Sequence, residues 1–202
     1  MKKSVLLASL ALAFPLLAEM HVLVFAGSTR TDSYNKKLAK EAAGIAKEMG
    51  AKVNLIDLKD YPMPFYDADL EAKQGMPKNA KRFRDAVKAS DAMVIAAPEY
   101  NASIPAVLKN AIDWASRSEE GGSSREAFAG KKVALMSASP GGGGGARGLV
   151  HLRAVLTDIG AEVVDKQVSV PRAYEKGAIE NPAVVEGIRE ELSELLVTQT
   201  AD

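Results

Sequence analysis

The pattern that most restricts this chain is a short apolar run followed at once by a loop of glycine, serine and asparagine. It occurs three times. His21 to Ala26 leads into Gly27-Ser28-Thr29-Arg30-Thr31-Asp32-Ser33-Tyr34-Asn35. Ala92 to Ala97 leads into Pro98-Glu99-Tyr100-Asn101-Ala102-Ser103-Ile104-Pro105, and Val133 to Met136 into Ser137-Ala138-Ser139-Pro140 and Gly141 to Gly145. Runs this short and continuous suit parallel strands buried on both faces. In open α/β sheets, ligands bind just beyond the carboxyl ends of the strands. Three such loops therefore converge on one ligand.

The rest of the chain alternates in the same way. A helical period runs from Asn35 to Met49, stopped by Gly50, and Lys52 to Leu58 reads as a strand. Tyr61-Pro62-Met63-Pro64 breaks the pattern, and the segment to Gly75 reads as a long surface loop. Lys78 to Ala89 is a helix packing through Phe83 and Val87. Further helices are expected over Ala106 to Arg117 and Ala146 to Ile159, and a fifth strand over Glu162 to Val170. The last helix, Pro182 to Leu196, has Asn181 as its cap and proline at its first position. Five strands alternating with helices give a doubly wound parallel α/β sheet with helices on both faces.

The 202 residues fit one domain. The 26 basic and 26 acidic side chains cancel, so nothing points to nucleic acid. There is no cysteine, which excludes disulfides and thiol chemistry. His21 and His151 are the sole histidines, too few for a histidine-rich metal site. Neither has a serine and an acid at readable spacing, so hydrolysis is unsupported. Redox chemistry requires a bound cofactor.

Residues 1–18 read as a secretory signal. Lys2-Lys3 precedes an apolar run, Val5 to Leu17, ending at Ala18. The expected location is exported or periplasmic. Two alternatives stand: an added strand or helix, or translation from Met20 and a cytoplasmic protein.

The loops carry a family resemblance. The first contains Ser28, Arg30, Ser33 and Asn35; the second is Pro98-Glu99-Tyr100-Asn101, then Ser103-Ile104-Pro105 and Leu108 to Trp114; the third is Ser137, Ser139, Gly141 and Gly142. Over residues 20–202 the chain resembles the NAD(P)H-dependent FMN reductases of flavodoxin-like fold, which include quinone, chromate and azo-dye reductases. The resemblance implies strand order 2-1-3-4-5, FMN with NADPH or NADH as co-substrate, and a homodimer or homotetramer. It implies a small-molecule electron acceptor: a quinone, free flavin, azo compound or metal anion. It also implies that no side chain is itself catalytic and that no metal is bound.

The residues suggest how the loops divide the work. The first joins a strand to a helix start, where unpaired N–H groups and the helix dipole favour a phosphate. Ser28, Ser33 and Asn35 offer hydrogen bonds, Arg30 a charge, and Tyr34 lies between them. Ser33 and Asn35 are equally the residue types that merely cap helices. In the second loop, the resemblance sets Pro98, Glu99, Tyr100 and Asn101 along the ribityl chain and flavin edge, where backbone N–H groups stabilise charge on the reduced ring. Glu99 alternatively lies on the surface or in a subunit contact, and Trp114 in the core or an interface. In the third loop, Gly141-x-Gly143-x-x-Ala146 also matches a dinucleotide fingerprint, with Glu162 or Asp165 as the ribose acid. That fingerprint belongs to the first βα turn, so the glycines read instead as backbone cleared to approach a flat ring. Two rivals remain: a flavodoxin-type electron carrier without NAD(P)H turnover, and a binding protein that keeps the fold alone.

Overall fold

The structure is a computed structural model and describes residues 19–197. The signal sequence expected over residues 1–18 lies outside the described residues. The strands are β1 (His21–Ala26), β2 (Lys52–Asp57), β3 (Ala92–Ala96), β4 (Lys132–Ala138) and β5 (Glu162–Val170). The helices are α1 (Tyr34–Glu48), α2 (Ala68–Gln74), α3 (Lys78–Lys88), α4 (Ala106–Ala115), α5 (Ala146–Asp158) and α6 (Pro182–Leu196). The strands form one parallel sheet in the order β2-β1-β3-β4-β5.

Side chains alternate across the sheet and two cores result. Val22, Val24 and Val94 face α1 and α6, through Leu38, Ala42, Ile188 and Leu192. Leu23, Phe25 and Ile95 face α3, α4 and α5, through Phe83, Leu108 and Leu152. This two-sided burial explains why β1 and β3 read as continuous apolar runs. Because every pairing is parallel, every strand ends on the same edge. The ladder continues into the loops there. Gly27 N–H donates to the Ala96 carbonyl at 2.9 Å, Ala97 N–H to Met136 at 2.8 Å and Ser139 N–H to Val170 at 3.0 Å.

One expectation needs correction. The segment from Tyr61 to Gly75 is no plain loop: it holds helix α2. Asp67 starts α2 by accepting from the Asp69 and Leu70 N–H groups. One face of α4 then latches the segment down. Asn110 accepts from Tyr66 N–H at 2.7 Å and donates to the Pro64 carbonyl at 2.9 Å, and the Trp114 indole donates to the same carbonyl. Arg117 grips Glu71 with Nε at 2.9 Å and Nη2 at 2.7 Å. Trp114 is fully buried, and Tyr66 meets it edge-on at 5.0 Å.

The β4–β5 ladder carries an irregularity between Val133 and Leu135. The side chain of Glu191 on α6 fills it. Its Oε1 accepts from Leu135 N–H at 2.6 Å, while Oε2 is buried without a partner. Burial pushes this carboxyl up to about 8, against the pull of the Leu135 hydrogen bond. Glu194 adds to the rise, and Arg153 and Lys166 oppose it. The folded state thus holds a proton that the unfolded state releases near 4.5. The associated stability is complete below that value and disappears as pH rises through about 8. Glu191→Gln should therefore match the wild type near pH 5 and exceed it by roughly 2–4 kcal/mol above pH 8. Urea unfolding at the two pH values checks this.

Candidate functional site

The first loop ends at Ser33, the N-cap of α1. Its backbone is extended there (φ −77°, ψ 127°), yet its hydroxyl makes no capping hydrogen bond. The first turn of the 15-residue helix carries no acidic residue. An unused hydroxyl at an acid-free helix N-terminus is a ready anion site. Ser28 is buried and its Oγ accepts from Arg30 N–H at 3.3 Å, which folds the loop over. The Arg30 side chain is exposed. Tyr34 is half-buried, with the Lys37 ammonium 5.6 Å from its ring centroid.

Asn35 has a different place from the one its sequence position suggests. It is buried, its Oδ1 accepts from Ala138 N–H at 2.9 Å, and its Nδ2 donates to the Ala138 carbonyl at 2.8 Å. The amide grips both backbone groups of one residue at the end of β4. It fixes the first loop against the third and is not presented to a ligand.

The second loop closes on itself. Tyr100 and Ser103 exchange two backbone hydrogen bonds of 3.0 Å. The turn between them places Asn101 at φ 51° and Ala102 at φ 61°. Left-handed backbone costs an alanine about 1–2 kcal/mol, and such strain gathers at functional loops. The hairpin lifts Tyr100 to 56% exposure, while Pro98 beneath it is buried. It also takes up the Tyr100 N–H, so that donor is not left for a ligand.

Glu99 is an anchor. Its Oε1 accepts from Arg147 Nε at 2.9 Å and its Oε2 from Gly148 N–H at 3.1 Å, in the first turn of α5. Gly145, the residue before α5, has no side chain to cap it, and Glu99 does so from another loop. The Arg147 guanidinium chiefly, with the helix N–H groups, holds this carboxyl below the usual carboxylate range, against desolvation. Gly148 permits the approach: a Cβ there would lie 3.2 Å from the Ser103 carbonyl oxygen and 3.3 Å from Glu99 Cβ. His151, one turn on, contacts Ser103 Oγ through Nδ1 at 3.0 Å. This pair left no mark in the sequence, because the contact joins a helix to a loop 48 residues earlier.

In the third loop Ser137 is fully buried and its hydroxyl has no partner. Gly145 (φ 87°) packs directly over it, and any side chain there would overlap the hydroxyl. Ser137 thus supports the loop from below. Ser139 Oγ accepts from Gly141 N–H at 3.1 Å. The Gly141 carbonyl accepts from Arg172 N–H and the Ser139 carbonyl from Ala173 N–H, so the turn after β5 braces the loop. Gly141 and Gly142 are exposed, and at Gly142 nothing stands within 4 Å of where a Cβ would be. The backbone is open to a flat partner. Glu162 starts β5 opposite Lys132, at the far end of the sheet from this loop. It cannot serve as a ribose acid for these glycines.

The three loops thus share one edge, with an anion cradle at one end and open glycine backbone at the other. The sequence profile of NADPH-dependent FMN reductase matches residues 20–175. The chain belongs to the NADPH-dependent FMN reductase family. It is 40% identical over 148 residues to an NAD(P)H-dependent FMN reductase of Pseudomonas aeruginosa, covering 73% of this chain and 75% of that one. A quinone reductase of Pseudomonas putida is 38% identical over 159 residues, 78% of each chain. Among solved structures, the flavoenzyme NAD(P)H:(acceptor) oxidoreductase from Paracoccus denitrificans superposes with a TM-score of 0.71 at 28% identity. That match covers 87% of this chain and 97% of the other. The cofactors of the family are FMN and a reduced nicotinamide nucleotide, and the cradle and open glycines suit a phosphate and a flat ring.

Two neighbouring residues should separate cleanly by stability. Asn35→Ala strips the partners from two buried backbone groups and should cost about 2–4 kcal/mol. Ser33→Ala removes no hydrogen bond from the folded chain and should cost less than about 0.5 kcal/mol. Chemical denaturation of the two variants without added cofactor reads the difference.

Proposed function

We propose that this chain moves two electrons, as hydride, from NADPH or NADH to a small-molecule acceptor, with FMN held by the three loops. Quinones are the acceptor class favoured by the relatives' names; free flavin, azo compounds and metal anions are the others. The observation that carries the reading is the idle Ser33 hydroxyl at the acid-free start of α1, on one edge with the exposed glycine backbone. Bound FMN supplies a ring nitrogen that takes up hydride and passes it on. Everything else asked of the protein is binding and orientation.

In this reading Ser28, Ser33 and the first N–H groups of α1 hold the phosphate, and Arg30 adds charge at the rim. The N–H of Asn101, at the tip of the hairpin, would stabilise negative charge on the reduced ring. Glu99 positions the hairpin through Arg147 and Gly148. Gly141 and Gly142 let backbone lie against the ring, with Ser139 holding their turn. Hydride transfer requires reactants stacked about 3–3.5 Å apart, so a missing acid–base pair is no obstacle. We infer a homodimer or homotetramer, supported by the exposed rings of Phe65 and Tyr100. We also infer export through residues 1–18, with FMN acquired after transport.

Ser33→Ala should weaken FMN binding by about 1.5–3 kcal/mol, the worth of a hydrogen bond to a charged group. Fluorescence titration with FMN measures it, and unchanged affinity would move the phosphate elsewhere. Anaerobic mixing of the FMN-loaded protein with NADPH and NADH tests turnover. A flavin that stays oxidised under both makes the protein an electron carrier instead.

A further inference from the structure

A second cleft, of about 450 Å³, lies beside the anion cradle on its β2 side. It is of ordinary small-ligand size. Ala26, the last residue of β1, and Lys36, in the first turn of α1, connect it to the cradle. Its bed is apolar. Ala39 and Leu55 line it, and Leu55 is 45% exposed, a large aliphatic surface left open on a strand.

The charges around this bed are unevenly matched. Asp57 stands at the end of β2, where an acid would accept from a ribose hydroxyl. Both of its oxygens are engaged: Oδ2 with Lys36 Nζ at 2.5 Å, Oδ1 with Lys59 N–H at 2.9 Å. Two cations have no carboxylate. Lys40 is exposed on the α1 wall and makes no ion pair among the described residues. Arg82, on α3, lies over the Tyr61 ring at 4.8 Å and donates to Asn79 Oδ1 at 2.9 Å and to the Asp60 carbonyl at 3.4 Å. Its planar guanidinium is oriented by neutral groups, which leaves its charge for an anion. Asp60 is the one further carboxylate in the lining, and it is exposed.

We propose that this cleft receives the adenosine end of the nicotinamide nucleotide and that Lys40 and Arg82 bind its 2′-phosphate. The base lies on the bed of Ala39 and Leu55. Asp57, held by Lys36, does not repel the phosphate as a free acid would. The pair of unmatched cations makes the site selective for NADPH over NADH. This inference rests on the reductase reading for the identity of the nucleotide, but its test needs no turnover.

Calorimetric titration with adenosine 2′,5′-bisphosphate, 5′-AMP and inorganic phosphate isolates the site. The bisphosphate should bind at least about tenfold more tightly than 5′-AMP, the worth of one charge-assisted contact, and NADPH should displace it. Lys40→Glu and Arg82→Gln should each erase that preference, and each should lower the NADPH-to-NADH ratio of kcat/KM about tenfold. Equal affinity for the two nucleotides overturns the inference. So does a preference that survives both substitutions, or inorganic phosphate binding as tightly as the bisphosphate. Loss of FMN-dependent NADPH oxidation with the 2′-phosphate preference intact would count against the reductase reading and support the cleft.

Discussion

The rest of the site depends on the grip of the Asn35 amide on the backbone N–H and carbonyl of Ala138. Two hydrogen bonds of 2.9 and 2.8 Å reach from the start of α1, over the end of β3, to the end of β4. Without them the first and third loops would be independent excursions from a common edge. With them, a helix N-terminus and a glycine-rich turn are held in one body. The interaction is buried and therefore well defined, since neither partner can trade it for water.

The second loop is fixed by a separate device. Glu99 supplies the cap that Gly145 cannot, and Gly148 lets the loop come close enough for it to do so. The left-handed pair Asn101 and Ala102 then closes the hairpin that raises Tyr100. A strained turn persists only where its surroundings hold it, and here the surroundings are the Glu99 carboxylate and the Ser103–His151 contact. The two devices stand at opposite sides of the same ligand edge, which preorganises that edge at the expense of local backbone comfort.

Charge is sorted across the molecule although its sum is zero. On the α3–α4 side, cations are met by carboxylates: Lys81 by Glu119, Lys88 by Glu126, Arg117 by Glu71. These pairs hold the α2 segment and the polar loop before β4. Around the cradle the cations Arg30, Lys40 and Arg82 have no such partners among the described residues. The first set ties segments together, and the second leaves positive charge unmatched beside the first loop.

Much of this was legible in the sequence, for physical reasons. Burial on both faces leaves an apolar run with no polar alternation, so β1, β3 and β4 announced themselves and with them the parallel sheet and its ligand edge. Local chemistry exposed Asn181 as a cap and Ser33 as the end of a loop, because capping depends on neighbours in sequence. Only the tertiary structure decided what each polar side chain is for. Asn35 and Ser137 carry the same donors and acceptors whether they face a ligand or a neighbouring strand, and contacts across 103 residues or under Gly145 chose the latter. Glu99, His151 and the latch of Asn110, Trp114 and Arg117 were hidden for the same reason. A hydrogen bond between distant segments leaves no periodicity behind. The sequence therefore determined where the elements and their open ends lie, and folding determined which groups at those ends remain free.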